Sequence, residues 1–397
     1  MQYNLLNYGN NFGSCSDYNN SITYKNSKLK TIFAHVKPDI ITVNEIAYSP
    51  DGRYVNSILD NALNVDGVDY YKTSDKIKGN ASIGNAVFFN SKKIGFADQD
   101  IITTEPRITD VYKLYYKTPD LGVTEDTVFI YCFVAHLKAG RDDTERRRNA
   151  AKSIMIYRKY KQQDNCLMMG DFNLYTNQEP AYKMFTDYEI EDLNFNDPVN
   201  AEGAWSNNSN YKKYHTQSTH SRSDCAVGGG MDDRFDFILI SNNLLKDDYL
   251  KYKSGSYKAI GQDGSFFNRS ILESNNSNMP SSVINALYNC SDHLPVYLEL
   301  TVKPKPLTDT GGTTDINSSF KQSIINIYQP DDNTLNINTD INDSYTLRIV
   351  DATGREILFK RTKNSAEKIN ISNFDKGIYI VNILSKNRSF SKQIAIK

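Results

Sequence analysis

No run of apolar residues in this 397-residue chain approaches the roughly 18 that a membrane-spanning helix needs, so stable membrane insertion is not expected. An excess of either charge is missing as well: 46 lysines and arginines face 47 aspartates and glutamates, a formal net charge of -1. That balance excludes a globally basic nucleic-acid binder, so any grip on phosphates has to come from a local patch or a bound metal ion. Cysteine is scarce, with five at positions 15, 132, 166, 225 and 290 and no CxxC or zinc-type spacing among them. A disulfide framework is not expected of so long a chain, and an odd count leaves at least one thiol free in a monomer. Cys132 and Cys166 stand in strand-like runs, where a small buried hydrophobe is the plain reading. The basic, apolar and small-residue progression of a signal peptide is also lacking, since "MQYNLLNYGN" already reads as a strand ending in a turn.

What is present changes style near residue 303. The stretch "VKPKPLTDTGGTTDINSS" holds Pro304, Pro306, the Gly311-Gly312 pair and many small polar residues, too little apolar surface to fold, and reads as a linker over 304-320. Beyond it, over 321-397, "SYTLRIVDATGREILFKR", "AEKINISNFDKGIYIVNIL" and "SFSKQIAIK" alternate with period two between turns, which predicts a small antiparallel sandwich. Residues 1-303 alternate strands with helices instead. "IGNAVFFNS", "TVFIYCFVAHL", "NCLMMGDFN" and "RFDFILIS" are strands, and "DTERRRNAAKSIMIYRKYKQQ" places Ala150, Ile154 and Tyr157 on one helical face. This is an α/β domain. The arginines at 146 to 148 read as a solvated helix face rather than a phosphate patch.

Polar residues then collect at strand ends. Asn4 lies in the first strand, Glu45 ends "PDIITVNEI", and His136 ends "FIYCFVAHLKAG". Asp171 and Asn173 end "CLMMGDFN", Asp236 sits in "DDRFDFILI", and Asp292 and His293 open "SDHLPVYLEL". Each alone has an ordinary reading: a solvated strand end, a hydrogen-bonded core histidine, an Asp/Asn turn, a strand cap. Together they put acceptors and imidazoles on six strands, and strand ends are where α/β sheets hold side chains firmly enough for chemistry.

In their order, "MQYNLLNYG", "PDIITVNE", "HLKAG", "GDFN", "DDRFDFIL" and "SDHLPV" resemble the endonuclease/exonuclease/phosphatase superfamily across residues 1 to about 303. The resemblance implies a DNase I-like four-layer α/β sandwich, with two mixed sheets face to face, helices outside and a phosphoesterase site at one edge. It also implies roles. Glu45 supplies a hard anionic oxygen for Mg²⁺, for which Mn²⁺ can substitute, and Asn4 and Asp292 complete or support that site; magnesium keeps its waters and accepts so sparse an oxygen set. Asp171 orients or deprotonates the attacking water, and Asn173 holds the phosphate or a metal. His293 pairs with Asp236 and His136 with Glu105 of "TTEPRITD", so that one imidazole accepts a proton while the other donates. A histidine at 136 is similar to the DNase I-like nucleases, sphingomyelinases and inositol phosphatases and unlike the abasic-site repair branch.

Two further stretches stay open. "HTQSTHSRSD", from His215 to Asp224, is either a polar loop or the source of a phosphate-contacting Thr or Ser, and Phe266-Phe267 are either packed core aromatics or a membrane-touching hairpin. The last 77 or so residues, with "SYTLRIVDATGREIL", "INISNFDKGIYIVNI" and "KQIAIK", resemble the type A sorting domain of type IX secretion. That implies a bacterial enzyme exported to the cell surface or medium by the type IX machinery, from a precursor whose leader precedes residue 1. The reading expected is therefore a secreted Mg²⁺-dependent phosphodiesterase acting on nucleic acid. A sphingomyelinase-like lipid phosphodiesterase would share every catalytic residue, a phosphomonoesterase would differ in pocket shape, and a non-catalytic surface-binding module would need a vestigial site. For nucleic acid speak Lys138, Arg141, Arg222 and Arg234 beside the motifs.

Overall fold

The structure is a computed structural model that describes residues 1-74, 82-118, 127-161, 163-246, 249-273, 276, 278-303, 325-331, 333-339, 341, 344-351, 355-385 and 388-396. The expected linker, 304-320, lies outside the described residues. The chain divides into two compact units, Met1–Leu307 and Thr308–Lys397.

The first unit runs β1 (Gln2–Tyr8), α1 (Ile22–Val36), β2 (Ile40–Ala47), α2 (Arg53–Ile58), β3 (Tyr71–Thr73), β4 (Ile83–Asn90), β5 (Ile94–Ile102), β6 (Thr109–Tyr116), β7 (Phe129–His136) and α3 (Thr144–Lys161). It continues with β8 (Cys166–Asp171), α4 (Pro180–Thr186), β9 (Phe195–Asn196), β10 (Asp236–Ser241), α5 (Asn243–Lys246), β11 (Leu250–Tyr252), β12 (Lys258–Ala259), α6 (Ser281–Cys290), β13 (Val296–Tyr297) and β14 (Leu300–Val302). Two six-stranded sheets result, ordered β12-β13-β1-β2-β4-β3 and β5-β6-β7-β8-β10-β9. Each is mixed, with β1 parallel to β2 and β7 parallel to β8.

Three apolar layers explain why the strands are hydrophobic on both faces. Val87, Phe89, Tyr112, Cys132, Val134, Leu167, Met169 and Ile238 pack between the sheets. Outside the first sheet, Tyr3, Leu5, Ile41 and Val43 meet Leu29 and Phe33 of α1 and Val283 and Leu287 of α6. Outside the second, Phe133, Met168 and Phe237 meet Ala150, Ile154 and Met155 of α3 and Phe185 of α4. The order helix, sheet, sheet, helix is the four-layer α/β sandwich expected. A strand buried on both faces reads as a continuous apolar run, which is why Cys166–Asp171 and Asp236–Ser241 are buried at every residue.

The outer face of α3 departs from expectation. Arg146 is exposed and Arg148 half-buried, and they pair with Asp143 and Glu145, but Arg147 is fully buried against Glu179 at 2.8 Å. Its guanidinium also donates to the carbonyls of Lys138 and Gly140, so it ties the loop after β7 to the loop after β8. Cys15 and Cys225 form a disulfide, and Cys132, Cys166 and Cys290 are free and buried.

The second unit has β15 (Asn326–Asp331), β16 (Thr334–Asn338), β17 (Tyr345–Asp351), β18 (Glu356–Thr362), β19 (Ala366–Asn370), β20 (Gly377–Ser385) and β21 (Arg388–Ile396). All pairings are antiparallel, in sheets ordered β15-β16-β19 and β18-β17-β20-β21. Their inward residues, among them Ile337, Leu347, Ile349, Val381 and Ile383, share one core.

Candidate active site

Strand register assembles the site. In the second sheet His136 stands beside Asp171 across the parallel β7/β8 pair, and Asp171 beside Asp236 across the antiparallel β8/β10 pair. Three polar residues therefore end up in a row at one end of three adjacent strands. Gly170 permits this closeness, because a Cβ there would lie 1.8 Å from the Ala135 carbonyl oxygen. The first sheet supplies Asn4, Glu45 and, just before β13, His293. Asn4 bridges the sheets, its amide donating to Glu45 Oε1 and to Asp171 Oδ2, both at 3.0 Å.

Alternation alone would not aim Glu45 this way. Glu45 has φ 58°, and the pairing of β2 with β4 shifts register between Asn44 and Ile46. The bulge turns the carboxylate toward Asp171, where the main-chain N–H of Asn7 donates to its Oε2 at 2.8 Å. Asn173, at φ 51°, closes a tight turn in which its N–H and its side-chain amide both donate to Asp171 Oδ1. The Asn173 amide is thus committed to Asp171 and to the Leu137 carbonyl.

Asp171 is the hub. Its Oδ2 lies 3.4 Å from His136 Nε2 and 3.7 Å from His293 Nε2, and its N–H is held by Asn44 Oδ1 at 2.9 Å. Burial pushes its carboxyl up to about 7; His293 and the Asn4 amide oppose the rise, while Asp236 and Glu45 add to it. His293 Nδ1 meets Asp236 Oδ2 at 2.7 Å, with both side chains buried. Burial disfavours charge on this ring, but Asp236 and then Asp171 outweigh it and lift His293 well above the usual imidazole range. A charged His293 requires the Gln217 carboxamide, whose nitrogen stands 2.8 Å from Nε2, to present its oxygen instead, a rotation that leaves its shape unchanged. His136 goes the other way: burial, then the positive charges of Arg107 and His293, hold it well below the usual range.

The donor set suits a hard cation. Glu45, His136 and Asp171 offer ligand atoms within 4.8 Å of one another, and Asp236 Oδ1, Asp292 Oδ1 and His136 Nδ1 are buried without a hydrogen-bond partner among the described residues. Two carboxylates and one imidazole, with no sulfur among them, match the preference of Mg²⁺ or Mn²⁺ more than the sulfur-rich sets that zinc favours. Asp292 is not part of that three-residue group; its Oδ2 is engaged by the Val227 N–H at 2.9 Å and faces the Gln217 amide at 3.4 Å.

Two expectations are corrected. Glu105 is exposed in the β5-β6 connection and makes no ion pair with His136, whose nearest carboxylates are Asp171 and Glu45, the latter at 3.9 Å. Arg234 faces no solvent: it is buried in a two-pronged pair with Asp197 at 2.7 and 2.8 Å, a core tie rather than a phosphate contact. Lys138 pairs with Asp143 at 3.1 Å, Arg141 stacks on Tyr175 at 4.4 Å, and Arg222 is exposed. The stretch from His215 to Asp224 does line the site. Thr216 Oγ1 accepts from the main-chain N–H groups of Phe235 and Asp236, and Gln217 reaches His293. Phe266 is core and Phe267 is half-buried near His215, so this pair forms no exposed apolar hairpin.

Sequence reasoning missed Gln217 and Arg107. The Arg107 guanidinium donates to the carbonyls of His136 and Leu137 at 3.2 and 3.1 Å. A cationic residue two positions past Glu105 in "TEPRIT" was the available signal. A cavity of about 1080 Å³ lies elsewhere, beside Met1, Pro38 and Asp39 at the start of β2, and contains none of the site residues.

Residues 326–397 match the family model described as secretion system C-terminal sorting domain. No curated protein matches the chain. Among solved structures, it is similar to the endonuclease/exonuclease/phosphatase family protein from Bacteroides thetaiotaomicron, at 15% identity over 76% of this chain and 96% of that one, TM-score 0.46. It is similar to D. rerio TDP2 complexed with single strand DNA product, at 13% identity over 76% of this chain and 97% of that one, TM-score 0.46. The human Nocturnin catalytic domain with bound sulfate is similar at 16% identity, over 70% of this chain and 87% of that one, TM-score 0.43.

Proposed function

We propose that this protein is an exported, divalent-metal-dependent phosphodiesterase that hydrolyses nucleic acid. The observation that carries the reading is Asp171 Oδ2, which converges with His136 Nε2 at 3.4 Å, His293 Nε2 at 3.7 Å and the Asn4 amide at 3.0 Å. Glu45, with Asn4 beside it, would hold Mg²⁺ or Mn²⁺, which would supply positive charge against the non-bridging phosphate oxygens. Ionised Asp171 takes a proton from the attacking water as the oxygen-phosphorus bond forms. Cationic His293, fixed by Asp236, offers its Nε2 proton to the oxygen that leaves as the ester bond breaks. Neutral His136 faces the phosphate without adding a competing negative charge, while the Asn4 amide stays with the two carboxylates. Export rests on the match of 326–397 to a sorting domain, and type IX machinery is the partner that this tail implies.

Polar groups favour nucleic acid over lipid. Arg141 and Arg222 are exposed, whereas Phe266 is buried in the core. The test is hydrolysis of plasmid DNA, RNA, sphingomyelin and a phosphomonoester by the purified protein, with Mg²⁺ and with excess chelator. DNA or RNA should be cut only with the metal. Full activity in chelator would refute the metal role, and cleavage of sphingomyelin alone would replace nucleic acid with lipid as substrate.

A further inference from the structure

Lys25 and Asn20 belong to none of the motifs, yet both lie against the main chain that carries them. Lys25, in the first turn of α1, is 2% exposed and no carboxylate pairs with it among the described residues. Its ammonium donates instead to the carbonyls of Leu5 and Leu6, at 2.5 and 2.6 Å. The Asn20 amide donates to the carbonyls of Leu6 and Asn7, at 3.1 and 3.0 Å.

These four contacts hold an unusual piece of backbone. Leu6 and Asn7 both have left-handed conformations, at φ 48° and 50°, which L-residues adopt at a cost. A buried ammonium without a counter-ion is a second cost at the same place. The bend has a definite consequence. It points the Asn7 N–H at Glu45 Oε2, 2.8 Å away, and the Leu6 N–H at Asn4 Oδ1, 2.9 Å away. Asn4 is thereby oriented to donate to Glu45 Oε1. Both carboxylate oxygens of Glu45 are therefore set by the end of β1, and the end of β1 is set by Lys25 and Asn20.

We propose that Lys25 and Asn20 are positioning residues that set Glu45 for metal binding by clamping the bend at Leu6-Asn7. The inference rests on the proposed function only for the word metal, and the clamp itself can be tested without one. Lys25→Gln keeps N–H donors without the charge, Lys25→Met keeps the length without donors, and Asn20→Ala removes the other half of the clamp. Two readouts are compared with the native protein: hydrogen exchange at the Asn7 amide relative to core amides of β8, and Mn²⁺ half-saturation followed by electron paramagnetic resonance.

Lys25→Met and Asn20→Ala should speed Asn7 exchange relative to the core and weaken Mn²⁺ uptake by about tenfold or more, the scale at which outer-shell partners act, and Lys25→Gln should restore most of both. A folded Lys25→Met protein with native Asn7 exchange, or with faster exchange and native Mn²⁺ affinity, overturns the proposal. Should Lys25→Met fail to fold, Asn20→Ala decides by the same two readouts. Native protein that takes up no Mn²⁺ refutes the metal reading of Glu45, and Asn7 exchange then judges the clamp by itself.

Discussion

Replacing Asp236 by asparagine probes the reasoning most directly. The pair it breaks is short and dry: His293 Nδ1 to Asp236 Oδ2 is 2.7 Å, with side-chain exposures of 4% and 0%. Asparagine keeps an acceptor for the Nδ1 proton but removes the charge that does most to raise His293. The ring then falls toward the low value that burial favours, with Asp171 and, more weakly, Asp292 left to hold its proton. Removing one member of a buried pair costs roughly 3–5 kcal/mol, and because a hydrogen bond survives, about 3 kcal/mol near neutral pH is expected.

The sign of the pH dependence follows from linkage. A histidine raised in the folded state contributes stability that is complete below its unfolded value of about 6.5 and is lost as pH rises through the folded value. The gap in unfolding free energy between native protein and Asp236→Asn should therefore be widest below about pH 6.5 and shrink at alkaline pH. Asp171 should respond too, since the His293 charge holds its carboxyl down more than Asp236 pushes it up. With His293 neutral, its ionisation should move to higher pH in the variant. Urea denaturation and histidine proton resonances, both followed against pH in chelator, measure the two effects, and hydrolysis at neutral pH should fall by about 10² or more. A His293 resonance that titrates alike in both proteins, or a stability gap independent of pH, would refute the assignment.

Other perturbations test other parts. Glu45→Gln should raise the Mg²⁺ concentration needed for half-maximal hydrolysis by about tenfold or more with the fold intact; an unchanged requirement removes Glu45 from the metal site. Asp171, pushed up to about 7 by burial, should take up a proton near neutral pH in chelator, and Asp171→Ala should remove that step and cost about 10² in rate; near-normal turnover would show that the hub is elsewhere. The Cys15–Cys225 bond closes a loop of 210 residues, worth about 5 kcal/mol by chain entropy, so reduction or Cys15→Ser should lower the urea midpoint, and an unmoved midpoint would count against the bond. A chain ending after Val302 should retain hydrolysis, because every site residue precedes that position, and loss of folding in that chain would show that the tail is needed for more than export.

Most of the residues that meet at the candidate site, the four-layer class and the all-β tail were legible in the sequence, because they are written in local patterns. Runs apolar on both faces announce strands covered from two sides, and a carboxylate or imidazole at the end of such a run has few places to go. "GDFN" shows its turn, its glycine and its paired polar groups within four letters. What could not be read were partners. Glu105 lies in a "TTEPRITD" stretch that pairs plausibly with His136 on paper, but the β5-β6 connection leaves it exposed and brings Asp171 to the imidazole. Arg234 stands beside the motif and Arg147 within a basic run, yet both are buried against carboxylates 37 and 32 residues away. The bulge at Glu45, the bend at Leu6-Asn7 and the union of Cys15 with Cys225 are likewise products of register and packing. A strand's hydrophobic period is set by its own residues and the water they avoid. Which buried polar atom meets which is settled only when two sheets close on each other, since each must then find a partner among the groups that register has brought within about 3 Å.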